Sequence, residues 1–360
     1  MIDNSRGYHM QRIGLSVCLM SMALFAMAPA EAAEKVTYAV ATSNISVGHA
    51  AQSSIPLAQG YWKDEGLDVD VVGLSGATAG IQQVASGQVE FATVGGDALL
   101  IARAKGLKVK AVYVYARQSI YRIVVPENST IKTLADFKDK TLGVPDMSAG
   151  SAPYARAALA SAGVDPQTNV KWLSIGIGGQ AANAFRQNVV DGWAAWDTVI
   201  ASLENNGFKL RYIDPPWLNE ILGNVIVARE ETIAKNPDLV IKVARGIAKS
   251  SVFGLANPDA TLRNHWKMYP ETKPSVMNDE TFREGRHIFN SRFDLTKREP
   301  GVKWGENVPA VWKRMADISI QEGLIPKNFN VEAAYTNQFI SEINNFDQKK
   351  IEENAKSSNW

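Results

Sequence analysis

The run Gly87-Gln88-Val89-Glu90-Phe91-Ala92-Thr93-Val94-Gly95-Gly96-Asp97-Ala98 changes character half-way along. Val89 to Val94 reads as a strand and Asp97 to Lys105 as a helix. The glycine pair between them lets a ligand or a neighbouring chain approach the backbone closely. The same strand–turn–helix unit recurs upstream. Val36 to Thr42 reads as a strand, and Gly48 to Glu65 as one helix stopped by Gly66. Leu67 to Leu74 alternates as a strand, and Thr78 to Ser86 is a short helix ending at Gly87. Val109 to Tyr115 is the next strand downstream. Repeated βα units with short glycine-rich turns predict a largely parallel sheet flanked by helices.

Ile120 to Val125 is a further strand, and Pro126, Asn128 and Ser129 mark a boundary after it. A second α/β series follows. Thr133–Phe137, Ser151–Ala162 and Gln180–Asn188 read as helices. Thr141–Val144, Val170–Ile175, Trp193–Trp196 and Leu210–Ile213 read as strands. Asn224 to Ala228 is a strand leading into a helical region, with Pro237–Leu255 strongly periodic and Asp279–Ile288 and Val308–Glu322 also helical. From Asp347 the chain is polar, which predicts a frayed helix or disorder.

At 360 residues the chain has room for about two domains. Lys and Arg number 38 against 37 Asp and Glu, a net charge of +1, which excludes a strongly basic nucleic-acid footprint. Arg6 and Arg12 precede an apolar run, Ile13 to Ala28, then Pro29 and Ala30-Glu31-Ala32. That order predicts a cleaved signal peptide over residues 1–32 and an exported, periplasmic product. Cys18, the single cysteine, falls inside that leader, so the processed chain has no thiol for a disulfide, a metal or a nucleophile.

Three stretches carry a resemblance. They are Ile55-Pro56-Leu57-Ala58-Gln59-Gly60-Tyr61-Trp62-Lys63-Asp64-Glu65-Gly66-Leu67-Asp68-Val69, the glycine-paired run quoted first, and Ile131-Lys132-Thr133-Leu134-Ala135-Asp136-Phe137-Lys138-Asp139-Lys140-Thr141-Leu142-Gly143-Val144-Pro145. Together they resemble the substrate-binding proteins of ABC importers for nitrate, sulfonates and taurine, with relatives that bind a thiamine pyrimidine precursor. The resemblance implies a two-lobed α/β periplasmic-binding-protein fold of type II with two crossover strands, near 119–125 and 223–227. It implies lobe one over 35–118 and 224–330, lobe two over 122–216, and 331–360 as a C-terminal helical extension or tail. A small-molecule ligand is held between the lobes, the chain acts as a monomer, and its partner is an ABC permease in the inner membrane. No cofactor and no nucleic acid are expected.

Open α/β sheets bind ligands beyond the carboxyl ends of their strands, so the loops there supply the candidate residues. In lobe one these are Ser43, Asn44 and Ser46 after the first strand, and Gly76, Ala77 and Thr78 after the second. Gly96 and Asp97 follow the third, and Arg117 the fourth. In lobe two they are Ser148, Gly150 and Ser151 at a helix start, Gln180, and Trp196 with Asp197. Helix starts offer free N–H groups to an anion, although Ser, Thr and Asp there also serve as plain caps. Arg117 has the fork that grips a carboxylate or sulfonate. Asp97 and Asp197 suit an amine, which with Arg117 points to a zwitterion such as taurine. Trp193 and Trp196 instead wall an aromatic or pyrimidine body, and strand alternation sends one of the two to the core.

Gly176-Ile177-Gly178-Gly179-Gln180-Ala181 satisfies G-x-G-x-x-A, with Asp197 in dinucleotide-fold spacing. It sits deep in the second series, and an exported chain meets little free NAD. His49, His265 and His287 lack metal-ligand spacing, and neither a G-x-S-x-G elbow nor a P-loop occurs. These readings favour a binding protein over an enzyme.

Overall fold

A computed structural model describes residues 1–2 and 32–358. The expected leader, with Cys18, falls almost wholly outside the described residues. The strands in chain order are β1 (Glu34–Val40), β2 (Leu67–Gly73), β3 (Phe91–Gly95), β4 (Val109–Val114), β5 (Tyr121–Pro126), β6 (Lys140–Val144), β7 (Val170–Ser174), β8 (Gly192–Trp196), β9 (Leu210–Tyr212) and β10 (Asn224–Arg229). They form two five-stranded sheets, ordered β2-β1-β3-β10-β4 and β7-β6-β8-β5-β9, one to each lobe.

Each sheet is parallel except for one inserted strand. β10 returns from lobe two and lies antiparallel between β3 and β4. β5, newly arrived from lobe one, lies antiparallel to β8 and β9. Burial follows from position in the sheet. Edge strand β2 alternates, with Leu67 and Val69 buried and Asp68 and Asp70 exposed, whereas all of β3 is buried. A strand covered by helices on both faces reads as a continuous apolar run.

The two crossovers are bonded to each other. Gly223 N–H donates to the Ala116 carbonyl at 2.9 Å, and the N–H groups of Tyr115 and Ala116 donate to the Asn224 carbonyl at 2.9 and 3.0 Å. A Cβ on Gly223 would stand 2.3 Å from the Gln118 carbonyl oxygen, so only glycine lets the chains cross here.

Three elements depart from the sequence reading. The single helix expected over 48–65 is a 3-10 turn Val47–Gln52, a short helix Ser54–Ala58 and a second turn Lys63–Glu65. Ser53 is non-helical (φ −142°, ψ −87°) and Gly60 has φ +71°, and Pro56 has no N–H to carry the ladder back across Ser53. Helices Asp197–Asn205 and Pro258–Met268 were not foreseen. The C-terminal tail is ordered: helix Gln348–Ser357 is capped by Asp347 and buries Ala355, whose carbonyl accepts from Asn257 Nδ2 at 2.7 Å. Tyr335 forms a bridge to Ala111 of β4, so the segment beyond 330 is packed into lobe one. No helix among the described residues is long and apolar enough to cross a membrane.

Candidate functional site

The sheets present their carboxyl ends to a cleft between the lobes. The inserted strands bring their first residues to the same edge, because they run the other way. Asn224 pairs with Gly95, and Tyr121 pairs with Trp196. The cleft holds a half-open cavity of about 180 Å³. Lobe one contributes Thr42, Ser43, His49, Ser75, Gly76, Ala77, Gly95 and Asn224. Lobe two contributes Tyr121, Asp146, Gly150, Gly176, Gln180 and Trp196, and Arg292 reaches in from helix Asp279–Phe293.

The lobes meet at the cavity rim. A Cβ on Gly76 (φ +81°) would lie 3.0 Å from the Ser148 carbonyl oxygen across the cleft. A Cβ on Gly150 would overlap the Tyr121 hydroxyl at 2.0 Å, and one on Gly176 would overlap Gln180 Oε1 at 1.9 Å. Glycine at these two positions is what allows Tyr121 and Gln180 to fold into the wall. The tryptophan pair divides as alternation requires: Trp193 is fully buried in the lobe-two core, and Trp196 lines the cavity.

At the floor lies a buried ion pair that joins helix Asp279–Phe293 to lobe two. Arg292 Nε donates to Asp197 Oδ2 at 2.6 Å and Nη2 to Oδ1 at 2.5 Å. Asp197 also accepts from the Thr198 N–H at 2.7 Å. Burial opposes the charge on Arg292, but the Asp197 carboxylate outweighs it and the guanidinium holds its proton more firmly than usual. The remaining nitrogen, Nη1, is buried without a protein partner, and so is Asn224 Oδ1. Both residues line the cavity, so it offers one uncommitted donor and one uncommitted acceptor. His49 sits beside them with Nδ1 at 3.3 Å from the Ser46 carbonyl. Burial, reinforced by Arg292, drives its pKa well below the usual value and keeps the ring neutral.

The candidates read from sequence thus have different fates. Ser43, Gly76, Ala77, Gly150, Gln180 and Trp196 line the cavity. Asn44 and Ser46 line an adjoining groove that shares Ser43 and Ile177 with it. Thr78 and Ser148 line another on the opposite side. Arg117 is a correction: its Nη1 donates to the Glu306 carbonyl at 3.2 Å, away from the cavity. Gly96 packs against Leu222 and Met315, so its missing side chain serves the core. Ser151 is fully buried and lies outside the lining. Asp97 stands behind Gly95 near the Tyr121 hydroxyl, and Asp197 is committed to Arg292 rather than open to a ligand amine.

Arg292 is the residue the sequence reading missed. Its signal was present: it shares the buried face of its helix with Gly285, Phe289 and Phe293, and a charge within an apolar stripe needs a partner. Among the described residues no group of three His, Cys, Asp or Glu is placed to hold a metal ion. The turn Gly176–Ala181 opens helix Gly179–Arg186, with Gly176 and Gly178 at positive φ. The side chain of Gln180 fills the space over Gly176 that a pyrophosphate would need.

A family model described as NMT1/THI5 like matches residues 49–261. The riboflavin-binding protein RibY of Chloroflexus aurantiacus is 25% identical over 292 residues, covering 79% of this chain and 81% of the relative. The formylaminopyrimidine-binding protein of Halalkalibacterium halodurans is 23% identical, covering 58% of this chain and 63% of its own length. Among solved structures, the periplasmic aliphatic sulphonate binding protein SsuA from Escherichia coli superposes with a TM-score of 0.62 at 19% identity, over 84% of this chain and 91% of that one. The architecture is the two-lobed periplasmic-binding-protein fold.

Proposed function

Because this chain belongs to the NMT1/THI5 like family, matching its model over more than half of its length, we propose that it is an exported receptor which closes on a small planar polar solute. The solute is a single-ring pyrimidine or an aromatic carboxylate, and the loaded monomer hands it to an ABC permease. Residues 1–32 are the export signal of this reading. The solute binds the closed state more tightly than the open one, and no bond is made or broken.

One observation carries the ligand class: Arg292 Nη1 and Asn224 Oδ1 are buried, unpartnered and face the same cavity. A ring bearing a carbonyl or carboxylate oxygen and an N–H or O–H answers both. The size agrees, since a cavity of about 150 Å³ holds one benzene ring, against about 180 Å³ here. Trp196 and Tyr121 supply flat apolar walls. A zwitterion of the taurine kind loses the support read for it, because Asp197 is taken by Arg292, Asp97 lies outside the cavity lining, and Asp146, which lines it, already accepts from the Ser148 N–H. A plain sulfonate remains as a second reading, favoured by Arg292 Nη1 alone. It leaves Asn224 Oδ1 without a donor, at a cost of about 1–3 kcal/mol.

The test is calorimetric titration of ligand-stripped protein with cytosine, 4-hydroxybenzoate, taurine and nitrate, the first two each carrying an oxygen acceptor and an N–H or O–H donor. The ring compounds should bind, and Asn224→Leu should weaken them by roughly ten- to a hundredfold. Preference for taurine or nitrate, untouched by Asn224→Leu, overturns the ring reading. Turnover of any of the four overturns the receptor.

A further inference from the structure

A second cavity, about 260 Å³, lies between the lobes beside the first. Its apolar part is built from both lobes: Ile81, Ile101 and Leu107 from lobe one face Met147 and Pro153 from lobe two. Met147 leaves 45% of its surface exposed at the groove. The lining also contains Lys105 from lobe one and Arg156 from lobe two, and no Asp or Glu. Arg156 is held in place, its guanidinium lying 4.9 Å from the centre of the Trp172 ring, which orients the fork without neutralising it.

We propose that this groove is a second binding site, for an amphipathic organic monoanion such as a medium-chain carboxylate. An apolar chain removes Met147 and the half-buried Ile101 from water, and its acid group meets two cations that no lining carboxylate opposes. The volume suits one chain of this length. Both lobes contribute walls and both contribute a cation, so the site is complete only when the lobes are together. An occupant therefore favours the closed form by its differential affinity. Ala77 and Gly150 line both cavities, so only small side chains separate this groove from the central one.

Octanoate and octanol, titrated calorimetrically into the ligand-stripped protein, test the site. Octanoate should bind at one site per chain, with octanol at least about tenfold weaker for want of the charge-assisted contact. Lys105→Glu and, separately, Met147→Asp should each weaken octanoate by about tenfold with unchanged thermal melting, since both positions are exposed. Asn224→Leu should leave octanoate binding as it is. The proposal is overturned if octanoate fails to bind, if octanol matches it, or if Asn224→Leu abolishes binding while the two groove variants do not. The last result puts octanoate in the central cavity.

Discussion

Asp97 and Asp197 occupy matching places in the two lobes. Each lies in the first turn of the helix after the strand that lies beside its sheet's inserted antiparallel partner, β3 beside β10 and β8 beside β5. Their surroundings differ. Asp97 relies on backbone N–H groups, and burial pushes its carboxyl up to about 6. Asp197 has the same backbone help and a bidentate guanidinium besides. A local motif places the carboxylate at the cleft edge, but a residue almost a hundred positions away decides whether it is left with backbone N–H groups alone or becomes a structural anchor.

The sharpest way to break the comparison is to remove the anchor. Asp197→Ala leaves Arg292 buried and unpaired and should cost about 3–5 kcal/mol of stability, read as a lower urea midpoint with an unchanged slope. If the loss stays below about 1 kcal/mol, the pair is not desolvated as its burial indicates. Replacing both partners, Asp197→Leu with Arg292→Met, should recover most of that loss, because an apolar pair avoids the desolvation cost. Ring-ligand affinity should nevertheless fall by roughly ten- to a hundredfold, since the Nη1 donor is gone. Recovery of affinity along with stability in the double variant ends the assignment of Arg292 to the ligand.

Asp97 should behave in the opposite sense. Its folded pKa, about 6, lies above the ordinary 3.8, so the folded state binds the proton more tightly than the unfolded chain does. The protonated carboxyl's contribution is whole below about pH 4 and lost as pH rises through about 6. Asp97→Asn should therefore raise the melting temperature at pH 8 and change it little at pH 4. A gain confined to low pH contradicts the burial of this carboxyl. The smallest effect expected is at Trp196. Trp196→Phe keeps a flat wall and should weaken a ring ligand only about two- to tenfold, whereas Trp193→Phe, in the core, should lower stability and leave affinity alone.

Much of the fold was legible because its signals are local. Strand runs such as Phe91–Gly95, and glycines closing helices at Gly87 and Gly163, announce the βα units from their own residues. What escaped depends on partners distant in sequence. Arg117 and Arg292 look alike as isolated arginines, yet the first meets a carbonyl on the lobe-one surface and the second meets Asp197. The tail after Asp347 reads as polar, and only Ile351 and Ala355 hint at the face it lays on helix Pro237–Ala256. The interrupted segment 48–65 misled for another reason: its apolar spacing is helical, and one residue, Ser53, takes a backbone conformation that spacing cannot reveal.

On the proposed closure the bonded crossovers are the fulcrum. Asp197 N–H is tied to the Ile120 carbonyl at 2.8 Å, at the very start of β5, which sets the Asp197–Arg292 pair beside those crossovers. Gly76 and Ser148 touch at the far rim, at the end of the lever arm. A rotation that parts the rim widely moves the ion pair hardly at all. Spin labels at Thr78 and Met147 should therefore report a large separation change on ligand release, while a pair at Gln118 and Asn290 reports almost none.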